Sequence, residues 1–184
     1  MKRIFLIPFV SLFLFCSCAK GSGDSEIPEL YRSLNSARYT VAITANFPSH
    51  EHVSTIDFTY ENGGIFKASV IEPKEIEGIT LTVKNGEGTL SFDGAHLETG
   101  ELDSEGFSPF SSLPALMTSW KEGNFREVQT AKMFGKSSVL AISEHGNYEY
   151  RTWFTTDEHL PVYAEIFSDG SRIIQCKFER TEHN

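Results

Sequence analysis

The sequence predicts an α+β fold, namely a strongly curved antiparallel β-sheet that forms an unclosed half-barrel, with helices packed in its concave face. Three observations favour this fold. Apolar and polar residues alternate with the period of a strand along most of the chain. The alternating segments are joined by short turns such as Asn62-Gly63-Gly64, and turns this short connect antiparallel neighbours. One apolar stripe with helical spacing, in residues 110–120, interrupts the strands.

The alternation places strands in both halves of the chain. In the first half the segment 40–47 alternates Val41, Ile43 and Ala45 with polar residues, and short turns separate the strands that follow. A sheet with this many strands curls through its right-handed twist. The predicted strands are 40–47, 56–60, 66–70, 79–83, 89–92, 139–143, 148–155, 162–167 and 172–178.

The segment 70–83 breaks a strand and restarts it. Pro73 cannot donate a hydrogen bond to a β-ladder, so it suits the end of a strand. Residues 74–77 can form one turn, and Gly78 allows a positive φ before the chain re-enters the sheet. A strand that ends, shifts sideways and resumes lets the sheet curve, so the segment is predicted to have a structural role rather than a catalytic one.

Two helices are expected. A short one spans the region of Pro28 and ends at Asn35, because apolar residues there recur at helical spacing. The second is predicted to be capped by Ser112, with Pro114 in its first turn and Gly123 just after its last turn. Its apolar stripe is the candidate lining of a groove between helix and sheet, and ordinary core packing is the alternative. The stripe consists of Phe110, Leu113, Leu116, Met117 and Trp120.

The N-terminus is typical of an exported lipoprotein. Lys2 and Arg3 precede an apolar run of 12 residues, which is shorter than the ~20 needed to cross a bilayer. Residues 1–17 are therefore predicted to be a signal peptide. Ser17 followed by Cys18 resembles the lipobox of bacterial lipoproteins, in which the cysteine is diacylated; an additional N-acyl chain is left open. Residues 18–26 would be the lipidated cysteine and a flexible tether, and 27–184 a single domain.

The composition disfavours some classes of binding partner. The net charge of −9 at pH 7 disfavours nucleic acid and electrostatic docking on anionic lipid. Attachment to the outer side of the cell membrane would come instead from the acyl chains on Cys18, and no other cofactor is expected.

The remaining cysteine after processing is Cys176. Strand alternation puts it on the same face as Ile174 and Phe178, which favours a small buried hydrophobic role. The alternative is an intermolecular disulfide, since an odd cysteine in an exported protein suggests one.

No catalytic group or metal site is predicted. Glu144-His145 and Asp157-Glu158-His159 lie in expected turns, where such residues are usually solvated. His50 and His52 would share one face of a strand, but further metal ligands are not placed by the sequence. An enzyme is therefore not expected.

The order of strands and turns resembles a known group of proteins. Residues 67–102, 108–123 and 153–179 resemble Gram-positive, clostridial-type lipoproteins with the fold of the LolA/LolB/LppX lipoprotein-carrier superfamily. The resemblance implies a curved sheet around helices, whose concavity holds acyl chains in superfamily members. A clostridial relative, the spore germination lipoprotein GerS, instead activates a cortex-processing amidase.

Two functions follow as hypotheses. The first is a non-enzymatic, membrane-anchored lipoprotein that binds a lipid or other apolar ligand at the cell envelope, which predicts an accessible apolar cavity. The second is an adaptor or activator that binds an envelope or spore protein, or forms a homodimer. The second predicts a core filled by its own side chains together with an exposed apolar patch or an unpaired sheet edge.

Overall fold

The computed structural model describes residues 23–101 and 108–184. These residues form two α-helices and eleven β-strands, with one short 3-10 turn at Lys74–Ile76. No helix in this part of the chain is long and apolar enough to cross a membrane. The elements are α1 (Gly23–Ser33), β1 (Ser36–Phe47), β2 (His50–Glu61), β3 (Ile65–Glu72), β4 (Thr80–Lys84), β5 (Glu87–Phe92), β6 (Ala95–Glu101), α2 (Pro109–Glu122), β7 (Phe125–Met133), β8 (Lys136–His145), β9 (Tyr148–Thr155), β10 (Pro161–Ser168) and β11 (Ser171–His183).

All eleven strands belong to one antiparallel sheet. Its order is β6-β5-β4-β3-β2-β1-β11-β10-β9-β8-β7, so every pair of adjacent strands is consecutive in sequence except β1 and β11. In that central pair Ile43 lies opposite Cys176. The chain crosses from one edge strand, β6, to the other, β7, by way of α2. The curved, unclosed antiparallel sheet with two helices confirms the predicted fold class.

The two faces of the sheet differ as the alternation predicts. On β1 the side chains of Tyr39, Val41 and Ile43 are buried on the face that packs against the helices. On the opposite face, the Arg38 guanidinium donates to the Asp57 carboxylate on β2, with an Nη2–Oδ2 distance of 2.6 Å. The buried positions therefore lie on the concave side and the charged positions on the convex side.

The interruption after β3 has the predicted form. β3 ends at Glu72, the 3-10 turn follows Pro73, and β4 begins at Thr80. Gly78 adopts φ 87°, a left-handed conformation that glycine enters without steric cost. The Gly78 N–H donates to the Val70 carbonyl at 2.9 Å, which ties the returning chain to the strand it has left.

The start of α2 corrects one prediction. The helix begins at Pro109, and its N-cap is Ser108 rather than Ser112. The Ser108 hydroxyl accepts from the Ser111 N–H at 3.1 Å, and the Ser111 hydroxyl accepts from the Ser108 N–H at 3.0 Å. This reciprocal capping box satisfies two N-terminal donors and outweighs a single cap at Ser112, whose hydroxyl instead donates to the Pro109 carbonyl.

The C-terminal end of α2 packs on α1. Gly123 adopts φ 68°, which confirms it as the residue that ends the helix. A Cβ at Gly123 would lie 2.2 Å from Cγ of Pro28, so only glycine allows this approach. Arg32 donates from Nε to the Lys121 carbonyl at 2.6 Å and from Nη2 to the Glu122 carbonyl at 2.8 Å. One arginine thus satisfies two carbonyls that the helix end leaves unpaired.

Helix α1 begins earlier than expected. It starts at Gly23, within the segment 18–26 that the sequence predicts to be a tether. Its inner face matches the prediction, since Ile27 and Tyr31 are fully buried, and Leu34, which follows the helix, is nearly so.

Candidate functional site

A cavity of about 370 Å³ lies between α2 and the two arms of the sheet. The first arm contributes β3, β4 and the turn after β4, and the second contributes β8 and β9. The volume is near the lower end of the ~300–1,000 Å³ that ligand pockets usually have. The described residues that line it are Phe66, Val83, Gly86, Ser111, Pro114, Ala115, Thr118, Ser119, Glu122, Asn124, Ser143, Glu144, His145 and Tyr150.

Helix α2 faces the cavity with small side chains. Six lining residues of α2 recur at intervals of three and four, so they form one stripe along the helix. Because these side chains, apart from that of Glu122 at the end of the helix, are short, the space between the helix and the arms stays open. We refer to this set as the small stripe: Ser111, Pro114, Ala115, Thr118, Ser119 and Glu122.

The base of the cavity is apolar and is tied to the sheet. Phe66 and Val83 come from one arm and Tyr150 from the other, and Ala115 of α2 also lines the cavity. The Ser119 hydroxyl is hydrogen-bonded to that of Ser143 on β8, with an Oγ–Oγ distance of 2.6 Å. This bond fixes the helix relative to the second arm, so the cavity does not depend on packing alone.

The rim of the cavity is polar and carries carboxylates. Glu122 lies at the end of α2, and Glu144 and His145 lie at the end of β8. Arg126 on β7 forms an ion pair with Glu144 and a second one with Glu149, the latter at 2.9 Å. An apolar base with a polar rim suits an amphipathic ligand.

The predicted groove-lining residues do not line this cavity. Leu113, Leu116, Met117 and Trp120 are instead buried in the core between α2 and the sheet, and Phe110 is partly buried against the same core. The apolar stripe of α2 was identified correctly, but the structure gives it the alternative role of core packing. Large apolar side chains fill the space that they face, which is why the open space lies beside the small stripe.

Trp120 is the centre of that core. Its ring centroid lies 5.0 Å from that of Tyr31 and 5.5 Å from that of Phe154. The indole N–H donates to the Thr152 hydroxyl at 2.9 Å, so the buried polar atom of the ring is satisfied. The ring therefore joins α1, α2 and β9 in one cluster.

Cys176 lies in the middle of the sheet and is fully buried. Burial raises the pKa of its thiol to about 12, so the reactive thiolate is scarce at neutral pH. This is the environment of a small buried hydrophobic residue. The intermolecular disulfide stays a prediction, and it would require β11 to open.

The other sequence candidates are separated in space or lie outside the described residues. Cys18 and the signal peptide, residues 1–17, fall in the undescribed N-terminal segment. Within residues 23–101 and 108–184, no group of three or more His, Cys, Asp or Glu side chains could hold a metal ion. Asp157, Glu158 and His159 lie in the turn before β10, where the His159 Nε2 atom is 3.0 Å from the Glu26 carboxylate of α1.

Sequence reasoning did not identify the small stripe. Its helical spacing from Ser111 to Glu122 was a usable signal, but small and polar residues on a helix are ordinarily assigned to solvent. Glu144 and His145 were weighed as turn residues, whereas they end β8 and line the cavity.

Comparisons with known proteins found solved structures of similar fold. No family model matches the chain, and no curated protein matches its sequence. An uncharacterised conserved protein from Thermus thermophilus superposes with a TM-score of 0.55 at 8% identity, covering 84% of this chain and 83% of the other. A domain from Vibrio parahaemolyticus, named for outer membrane lipoprotein sorting, gives 0.50 at 8% identity, covering 88% and 91%. A LolA superfamily protein from Nitrosomonas europaea gives 0.47 at 11% identity, covering 86% and 90%.

At these identities the similarity shows the fold alone. The curved half-barrel expected from the resemblance to lipoprotein carriers is confirmed, and the relation to clostridial lipoproteins and to GerS stays a prediction. The chain therefore has a curved, unclosed half-barrel fold similar to that of the Vibrio parahaemolyticus domain, with a cavity between its bridging helix and the two arms of its sheet.

Proposed function

We propose that the protein is a non-enzymatic, membrane-anchored lipoprotein that binds a lipid or other apolar ligand at the cell envelope. The observation that carries the proposal is the cavity of about 370 Å³ between α2 and the sheet. Its apolar base at Phe66 and Val83 would receive an acyl chain, and its polar rim at Glu122 would meet the head group. The half-barrel fold shared with a lipoprotein-sorting domain supports the same function.

Anchoring is proposed to occur through Cys18. Diacylation there would supply two acyl chains, and two membrane signals are what stable attachment requires. The domain would then face outward from the cell membrane. Metabolic labelling with a palmitate analogue tests this: we expect label in the wild type and none in Cys18→Ser. Equal labelling of the two would rule out this attachment site.

Ligand binding can be tested with the chain from Ala19, because every element of the described fold begins at or after Gly23. Native mass spectrometry after purification without detergent should show a bound lipid at one per chain, which solvent extraction removes. A bare mass, together with no uptake of added fatty acid or monoacylglycerol, would contradict the proposal.

A variant that blocks the cavity tests whether the ligand binds there. Thr118 belongs to the small stripe and its side chain is exposed, so Thr118→Trp should fill the opening without disturbing the core. Thr156→Trp, in an exposed turn outside the cavity, is the matched control. We expect Thr118→Trp to lose the bound mass and Thr156→Trp to keep it. Retention of ligand by both variants would place binding elsewhere.

An adaptor or activator function is the second candidate, and the β6 edge favours it. Residues 95–100 of this edge strand are all exposed, with Leu97 at 63% exposure, and Phe92 just before it is 47% exposed. Exposed apolar side chains on an edge that pairs with no other strand of the described residues suit the addition of a strand from another protein. The partner would be an envelope or spore protein such as a cell-wall amidase, in line with the sequence resemblance to GerS.

The second candidate has its own test. In-cell crosslinking should trap a specific adduct with the wild type that Leu97→Lys loses. Phe47→Lys is the control, because Phe47 is also exposed, at 42%, but lies far along the sheet from β6. Loss of the adduct in both variants, or in neither, would argue against the β6 edge as the contact.

A further inference from the structure

The rim of the cavity is rich in hydrogen-bond acceptors. Two carboxylates, Glu122 and Glu144, lie in its lining as acceptors only, and the Thr118 hydroxyl, the Asn124 amide and the His145 imidazole can each accept or donate. No lysine or arginine is among the described residues that line it. A ligand head group there meets groups that accept hydrogen bonds and a field that is negative where Glu122 lies.

The cations around the end of α2 are already engaged. Arg126 is held by the carboxylates of Glu144 and Glu149. The Lys121 ammonium lies over the ring of Tyr60, 3.6 Å from its centroid. Arg32 is held by the last carbonyls of α2. An anionic head group would have to displace one of these contacts to find a positive partner.

The size of the cavity limits the apolar part of the ligand. A volume of about 370 Å³ is close to the smallest that ligand pockets usually have, which suits one acyl chain better than two. The small stripe sets this width, since Ala115 and Pro114 leave space that larger side chains would close.

We infer that the cavity selects a single-chain amphiphile whose head group donates hydrogen bonds and carries no negative charge. A glycerol or sugar head group, or an ammonium, has this chemistry, and a carboxylate or phosphate does not. The inference rests on the proposed lipid-binding function and narrows its ligand class.

The test uses three probes with the same alkyl chain: monolaurin, which is neutral, laurylamine, which is cationic, and laurate, which is anionic. Binding to the chain from Ala19 is measured by calorimetry below the micellar range, at mildly alkaline pH, above the usual titration range of imidazole. We expect monolaurin and laurylamine to bind, and laurate to bind at least about fivefold more weakly. The difference should shrink at high salt, because ions screen charges near the surface.

A pair of variants assigns the selectivity to the rim. Glu122→Gln removes a carboxylate of the lining, and Glu127→Gln removes an exposed one on β7 that does not line the cavity. Glu122→Gln should narrow the gap between laurate and monolaurin affinity several-fold, whereas Glu127→Gln should leave the ratio of the two affinities as in the wild type.

The outcomes separate the two proposals. If laurate binds as tightly as monolaurin, or if Glu122→Gln and Glu127→Gln behave alike, the inferred selectivity is wrong although the cavity still binds lipid. If none of the three probes binds, the lipid-binding function itself fails, and the inference fails with it.

Discussion

The two stripes of α2 meet opposite surroundings. One carries Leu116, Met117 and Trp120 into a core where each is at most 2% exposed. The other, the small stripe, faces a cavity of about 370 Å³. Both lie on the same helix beneath the same curved sheet, so the difference is side-chain size: large apolar groups draw the sheet onto the helix, and small ones leave a gap. The sheet's curvature alone therefore does not make a binding site.

Removing the Trp120 side chain should cause the largest loss of unfolding free energy. Trp120→Ala deletes a ring that is 2% exposed and removes the hydrogen bond to Thr152. The free energy of unfolding should fall by about 3–5 kcal/mol, as measured by chemical denaturation. Trp153→Ala is the matched control, because Trp153 is only partly buried and its loss should be smaller. Equal losses would show that the Trp120 cluster is not the centre of the core.

The contact between the two helices comes next. In Gly123→Ala the new Cβ would lie 2.2 Å from Pro28, and φ 68° adds left-handed strain. We expect a loss of about 2 kcal/mol or more in unfolding free energy, of which roughly 1 kcal/mol is the backbone term. Gly135→Ala isolates that term, since its φ is 76° and nothing lies within 4 Å of the added Cβ. A loss no greater than that of Gly135→Ala would mean that α1 is not seated on α2 in solution.

The free energy of unfolding should depend on pH through His183, which lies on the side of the core rather than on that of the cavity. Its Nε2 lies 2.8 Å from the Tyr39 hydroxyl, and burial lowers the pKa of His183 to about 4. The unfolded chain takes up this proton near pH 6.5 and the folded chain only near pH 4, so stability is lost as pH falls through that window. Partial exposure of the ring reduces the loss to about 1–2 kcal/mol.

Because carboxylates also titrate in acid, the contribution of His183 is measured as a difference between variants in the stability lost. Unfolding free energy is measured at pH 7 and near pH 4 for the wild type, His183→Gln and His96→Gln. His96 is on the exposed strand β6, so His96→Gln should lose as much stability as the wild type. His183→Gln should lose less. Identical losses in all three would mean that His183 is not buried in neutral form.

The sequence predicted the strands whose two faces differ. β9 was expected at 148–155 and has those bounds, with Tyr148, Tyr150 and Phe154 on its buried face. The edge strands β6 and β7 were missed. Residues 95–100 of β6 are all exposed and β7 has no fully buried residue, so neither shows apolar alternation. Edge strands are held chiefly by backbone hydrogen bonds, which side-chain patterns do not report.

The cavity was less predictable than the fold. The sequence located the apolar stripe of α2, but the residues that form the cavity come from both arms of the sheet, and Phe66 and Tyr150 are 84 positions apart in sequence order. Their convergence depends on the curvature of the whole sheet. The position of Ser111 on a lining stripe, rather than toward solvent, follows only once the arms are in place.

Adding volume to the small stripe should have the smallest effect on stability, and its sign tests the comparison directly. Ala115→Leu places apolar atoms into open space near Phe66 and Val83, so the unfolding free energy should rise by up to about 1 kcal/mol or stay unchanged. Leu116→Ala, on the neighbouring apolar stripe, should lose about 2–5 kcal/mol because it leaves a void in a filled core. Chemical denaturation of both variants measures the contrast. A loss above about 1 kcal/mol for Ala115→Leu would be the signature of overpacking, and the small stripe would then be closed in solution rather than open to a ligand.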